Sequence, residues 1–211
     1  MKWVWITPNL SFMTVSNQSY SAVILAAGHS SRMGVPKMFL EVSPGMSFLD
    51  ACLDAFIGFG CKEVLVVTNP SFMMLVDLKP SWEGIVRLVQ NAKPDYGRFY
   101  SLQCGLKALI GMRSVFFHNV DNPFVSQEVL TALSSKEGEA SVVRPSFNKQ
   151  RGHPVLINSN VVKDMLSEKG HVQDLRDYLA RYKNVSVPVK TPDILKNINT
   201  PEDYRKIIQS S

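Results

Sequence analysis

The sequence predicts a single-domain, three-layer α/β/α fold around a mostly parallel sheet. Three observations predict it. Short all-apolar runs, such as Ala22-Val23-Ile24-Leu25-Ala26 and Val64-Leu65-Val66-Val67, show no polar alternation. Runs of that kind belong to strands buried on both faces. They alternate with segments of helical period along most of the chain, as strands joined by crossover helices do. A length of 211 residues, 45% hydrophobic and 19% charged, suits one well-filled core with no linker, repeat or low-complexity tract.

The elements follow in order. Residues 22–26 form the first strand. A helix over 48–59 carries Leu49, Cys52, Leu53 and Phe56 at helical spacing and stops at Gly58 and Gly60. Strand 64–68 is closed by Asn69-Pro70, and residues 85–89 supply a third strand. A helix over 99–110 precedes strand 114–118. The helix over 126–133 follows Pro123 and has Ser126 as N-cap. Strands at 142–143 and 155–157, helices at 159–166 and 173–182, and strand 185–189 complete the alternation. Thr200-Pro201-Glu202-Asp203 opens the last helix with a cap, a proline at the first position and acids in the first turn.

The domain is expected over residues 21–211. Residues 1–20 are read as a flexible extension, or as sequence upstream of a start at Met13. Pro8, Asn9 and Ser11 interrupt the apolar run that an export signal needs. No stretch approaches the roughly 20 apolar residues of a membrane span, so no membrane partner is expected. Cys52, Cys61 and Cys104 are odd in number and lack CxxC spacing. They read as small core residues of a cytoplasmic protein. A net charge of +5 suits an anionic small ligand. Without a basic stripe interleaved with aromatics it does not suggest nucleic acid.

Open α/β sheets bind ligands beyond the carboxyl ends of their strands. Four segments lie there. Leu25-Ala26-Ala27-Gly28-His29-Ser30-Ser31-Arg32-Met33-Gly34 follows the first strand, with Lys37 shortly after. Its small residues admit backbone N–H groups close to a ligand, and Arg32 and Lys37 bring charge for a triphosphate. Neither GxxxxGK[ST] nor GxGxxG occurs, which counts against a P-loop and against a dinucleotide-binding oxidoreductase. Asp121, after strand 114–118 and before Pro123, suits Mg²⁺ held by one protein carboxylate with water and phosphates; equally, it suits an Asx-turn. Gly97 and Ser101 sit at the head of a helix, and His153 precedes Pro154 at a strand mouth.

These motifs resemble those of the MobA-like nucleotidyltransferase family, in the branch typified by molybdenum cofactor cytidylyltransferase. Residues 25–37 match LAAGxSxRMGxxK, and GRFYSLQCGL at 97–106 is similar to the GxxxSLxxGL segment. Asp121-Asn122-Pro123 resembles the DxP metal motif, Gly152-His153-Pro154-Val155 the GHPV segment, and Asn197-Ile198-Asn199-Thr200-Pro201-Glu202-Asp203 the DxDTPED ending. The matches run in family order over about residues 22–205.

The resemblance implies a nucleotide-diphospho-sugar transferase, Rossmann-like fold. It also implies Mg²⁺-dependent transfer of a nucleoside monophosphate, with CTP favoured and GTP a further donor, to a phosphorylated small molecule. A molybdopterin-type cofactor is the favoured acceptor, a sugar or polyol phosphate the alternative, and a molybdoenzyme the protein partner. Leu25, Ala26, Ala27, Gly28, Ser30 and Ser31 would surround the nucleotide, with Arg32 and Lys37 on its phosphates. Gly97 and Ser101 would lie near the base, and His153 at the acceptor. Asp121 would hold the metal, with Asn197 where the family usually has a second aspartate. The GDxG-like stretch of many members is absent near Gly170-His171-Val172-Gln173. These departures leave a non-catalytic nucleotide- or cofactor-binding accessory protein as the other class of function.

Overall fold

The computed structural model describes residues 19–28, 33–170 and 172–208. It contains β1 (Ser21–Leu25), the small hairpin β2 (Glu41–Ser43) and β3 (Met46–Ser47), α1 (Phe48–Gly58), β4 (Glu63–Thr68), α2 (Pro70–Met73) and β5 (Val86–Gln90). There follow α3 (Gly97–Lys107), β6 (Val115–Asn119), α4 (Gln127–Ser134), β7 (Val142–Phe147), β8 (Gln150–Arg151) and β9 (Val155–Ile157). The chain continues through α5 (Ser159–Ser167), α6 (Leu175–Ala180), β10 (Asn184–Pro188) and α7 (Pro201–Ile208).

Among the described residues seven strands run across the main sheet in the order β10-β7-β9-β6-β1-β4-β5, with β8 paired to β7. β1 pairs in parallel with both β4 and β6. β9 alone on this path runs against its neighbours β6 and β7, so the sheet is mostly parallel, as the sequence predicts. Alternate residues of β1 point to opposite faces. Ala22 and Ile24 pack with Phe48, Phe56 and Leu130 on one side; Val23 and Leu25 pack with Leu102, Leu106 and Val161 on the other. That division makes the three layers.

Local chemistry explains the element ends. Ser47 caps α1 in a reciprocal capping box with Asp50, and the Ser126 side chain accepts from Val129 N, as expected. Thr200 and Asp203 form the same exchange at α7.

Three details differ from expectation. β7 extends to Phe147, because its backbone bonds to β10 and β8 do not depend on the apolar side chains that stop at Val143. The β2–β3 hairpin is too short to leave an apolar run. Tyr20, placed in the extension, belongs to the core, packs on Phe59 and Phe116, and donates to Glu137 at 2.5 Å. Residues 1–18 of that extension lie outside the described residues. Among the described residues no helix is long and apolar enough to cross a membrane.

Candidate active site

From β1 the chain passes to β4 and β5 on one side, then returns to β6 on the other. Such a switch in strand order opens a crevice beyond the strand ends. Here it holds a cavity of about 390 Å³. Ala26 N donates to Val67 O at 2.8 Å and Val120 N to Leu25 O at 3.1 Å, which fixes the strand ends beneath it. Leu25, Ala26, Ala27 and Gly28 form one wall.

Opposite them Asp121 follows β6. Its Oδ1 is buried and has no hydrogen-bond partner among the described residues, while Oδ2 lies 3.5 Å from Lys37 Nζ. A short turn, Lys37–Phe39, buries Met38 and leaves Lys37 lining the cavity. Lys37 Nζ also donates to Asn199 Oδ1 at 2.6 Å. One ammonium therefore stands between a carboxylate and an amide oxygen. Burial raises the Asp121 pKa, and Lys37 and then Arg98 oppose that rise. An unpartnered carboxylate oxygen beside an amide oxygen fits a hard divalent cation that takes its other ligands from phosphates and water. Among the described residues no cluster of three or more His, Cys, Asp or Glu side chains offers an all-protein metal cage.

The head of α3 forms the third wall. Gly97 has φ +83°, a conformation L side chains rarely adopt. Ser101 lines the cavity, but its hydroxyl donates to Gly97 O at 3.1 Å and accepts from buried Asn91 Nδ2 at 2.9 Å. It thereby locks the end of β5 to the helix start.

Arg98 and Asn119 line this cavity and also a second one, of about 590 Å³, where His153 lies. The His153–Pro154 bond is cis. His153 Nε2 is 3.3 Å from Asn119 Nδ2, and its Nδ1 has no partner. Burial, then His118, Arg98 and Arg144, push its pKa down to about 3. The neutral ring is therefore a poor binder of anions through charge and has hydrogen bonding left to offer.

A family profile described as the MobA-like NTP transferase domain matches residues 22–185. The chain belongs to the MobA-like NTP transferase family. Molybdenum cofactor cytidylyltransferase of Escherichia coli is 26% identical over 184 residues, spanning 86% of this chain and 92% of that protein. The probable molybdenum cofactor guanylyltransferase of Rhodopirellula baltica is 28% identical over 191 residues, 86% of this chain and 88% of that one. The 4-diphosphocytidyl-2C-methyl-D-erythritol synthase structure from Anaerococcus prevotii superposes with a TM-score of 0.72 at 18% identity, covering 92% of this chain and 96% of that one. That likeness supports the nucleotide-diphospho-sugar transferase fold. The MobA-like relatives are named nucleotidyltransferases, and this chain is one by family.

Leu25, Ala26, Ala27, Gly28, Lys37, Gly97, Ser101 and Asp121 thus meet in one cavity, and His153 stands in the next. Ser30, Ser31 and Arg32 lie outside the described residues. Asn197 departs from expectation. It is exposed, does not line the cavity, and donates to Leu195 O at 3.5 Å. Asn199 takes the place beside Asp121. Ile198 N donates to Asp121 O at 2.8 Å and the Ile198 side chain enters the core, so the register of that one contact decides which asparagine lines the cavity. Arg98 and Asn119, the polar residues that line both cavities besides the expected ones, are not among the sequence candidates. Arg98 lies inside the GRFYSL segment, where its charge was a usable signal; Asn119, the last residue of β6, gave none.

Proposed function

We propose that this MobA-like chain transfers a nucleoside monophosphate from a nucleoside triphosphate, CTP for preference, to a phosphate oxygen of a small-molecule acceptor. That oxygen bonds to the α-phosphorus, the bond from the α-phosphorus to the bridging oxygen breaks, and pyrophosphate leaves. The observation carrying this reading is the unpartnered Oδ1 of Asp121, set beside Lys37 and Asn199 in the cavity walled by Leu25 to Gly28.

Backbone groups at Ala26 to Gly28 hold the nucleotide, and Lys37 neutralises phosphate charge. Arg98, at the junction of the two cavities, faces both partners and holds the attacking phosphate near the α-phosphorus. Asp121, with Asn199 in the place first given to Asn197, would hold Mg²⁺; the ion would supply charge neutralisation to the triphosphate. Positioning and charge stabilisation suffice for such a transfer, with no covalent intermediate.

The names of the two relatives that span 86% of the chain favour a molybdopterin-type acceptor, and with it a molybdoenzyme as downstream partner. The cytidylyltransferase of Escherichia coli supports CTP, and the guanylyltransferase of Rhodopirellula baltica keeps GTP as the other donor. Thiols at Cys52, Cys61 and Cys104 suit a reducing cytoplasm.

Thermal unfolding with ATP, CTP, GTP and UTP, each with and without Mg²⁺, tests the donor side. A nucleotide at ~1,000 times its Kd stabilises the fold by about 4 kcal/mol. The expected result is a Mg²⁺-enhanced shift, largest with CTP. No shift with any nucleotide rejects the reading.

A further inference from the structure

The second cavity is walled by positive charge. Arg98, Arg144, Lys149, Arg151 and Arg176 line it, and among the described residues no aspartate or glutamate does. Among the described residues the Arg144 and Arg176 guanidinium groups have no hydrogen bond or ion pair, and Arg144 Nε is buried as well as unpartnered, whereas Arg98 is within electrostatic reach of Asp121. Arg151 Nε donates to Ser186 Oγ at 3.0 Å, which anchors it toward β10. Burial first, then Arg151 and Arg176, disfavour the charge on Arg144. Guanidinium groups gathered without counter-ions are costly until an anion completes them, and their planar donor forks match phosphate and carboxylate oxygens.

One phosphate does not account for all of them. Arg98 stands at the head of α3, on the boundary with the nucleotide cavity. Arg144 lies in β7, two strand spacings from β6, or about 10 Å. Ser186, which anchors Arg151, lies in β10, one spacing further, or about 14 Å from β6. Arg98 lines both cavities, whereas Arg144, Arg151 and Arg176 line the second alone, so a dianionic phosphate beside the α-phosphorus meets Arg98 and leaves the other three unmatched.

We infer that the acceptor carries two separate anionic groups: the phosphate that attacks, held at Arg98, and a second group seated on Arg144, Arg151 and Arg176. The inference rests on the transfer reading above and adds a substrate class to it, a bis-anionic small molecule. Arg144, Arg151 and Arg176 are then specificity residues for the acceptor, distinct from the groups that hold the nucleotide.

Calorimetry on protein saturated with Mg²⁺ and the α,β-methylene analogue of CTP (or of GTP, if GTP gives the larger melting shift) tests this. The probes are glucose 1-phosphate, glucose 6-phosphate and glucose 1,6-bisphosphate. The bisphosphate is expected to bind at least tenfold more tightly than either monophosphate. R144Q and R176Q should each cut that advantage below threefold while leaving analogue affinity within twofold. Arg176 is on the surface-facing α6, so its variant separates loss of binding from loss of folding. Equal affinity of mono- and bisphosphates for the wild type, absence of bisphosphate binding, or an advantage that survives in both variants overturns the inference. If no nucleotide analogue binds, the transfer reading fails by itself; the same probes on the free protein and its variants still decide the anion cluster.

Discussion

At Asp121 two effects compete. Burial disfavours the carboxylate, while Lys37 and Arg98 favour it, and burial prevails because the pKa is raised. The folded protein therefore bears a cost at this residue that only bound cationic charge recovers. Asp121→Asn removes the charge and keeps the shape. The ligand-free variant should melt higher than wild type, and scanning calorimetry checks it. Its pyrophosphate release should fall by roughly 10²-fold or more, about 2.7 kcal/mol, as for loss of one transition-state charge group. Its Mg²⁺-dependent melting shift with nucleotide should also disappear. Undiminished turnover would remove Asp121 from the chemistry.

Among the elements, α3 matters most to the site because it carries Gly97, Arg98 and Ser101. Its seat on the sheet depends on Gly105. A Cβ there would lie 2.5 Å from Val23 Cγ1 and 2.9 Å from Val67 Cγ2, inside the core that faces β1 and β4. Gly105→Ala gains about 1 kcal/mol of helix propensity but overpacks a close-fitting interface, at a cost of about 1–3 kcal/mol. We expect a net loss, read as a lower urea midpoint at unchanged slope. Because the helix must lift, KM for the nucleotide should rise as well. A variant as stable as wild type would show that the helix–sheet contact has room that this packing denies.

For the whole molecule, acid stability follows from two histidines beneath the site. His118 is buried, lies 2.6 Å from Asn122 O through Nε2, and has its pKa pushed down to about 4, mainly by burial. His153, its neighbour at a ring separation of 6.1 Å, is pushed down to about 3. Unfolded histidines take protons below about pH 6.5, and the folded ones only near those lower values. Across that window the unfolded chain binds more protons, so stability falls as pH falls, by up to about 1.4 kcal/mol per unit for each histidine. Asp121, with its raised pKa, acts in the opposite sense, but as one group against two. The urea midpoint should drop steadily from pH 6.5 to 4.5. His118→Gln, which still donates to Asn122 O, should roughly halve the slope; a slope unchanged in that variant would place the acid sensitivity elsewhere.

The fold was legible because its determinants are local and repeated. Unbroken apolar strands such as Ala22 to Leu25 and Val64 to Val67 require cover on both faces, and the helical periods between them provide it. That Leu25 to Gly28 and Lys37 would share one cavity was legible for a similar reason, since they follow the carboxyl end of a buried strand. Partnership across long separations was not legible. Lys37 and Asn199 are 162 residues apart in sequence and touch only because β1, β6 and the strand-to-helix passage before α7 end at the same edge of the sheet. Asn197 and Asn199 are the same residue type two positions apart. A single backbone bond from Ile198 to Asp121 decides between them. The cationic cavity is likewise assembled from α3, β7, β8 and α6, whose arginines are scattered along the chain. Sequence alone determined which residue types were available and which faces were buried; the meeting of charges from distant segments was decided by tertiary structure, because strand order and register have no counterpart in local composition.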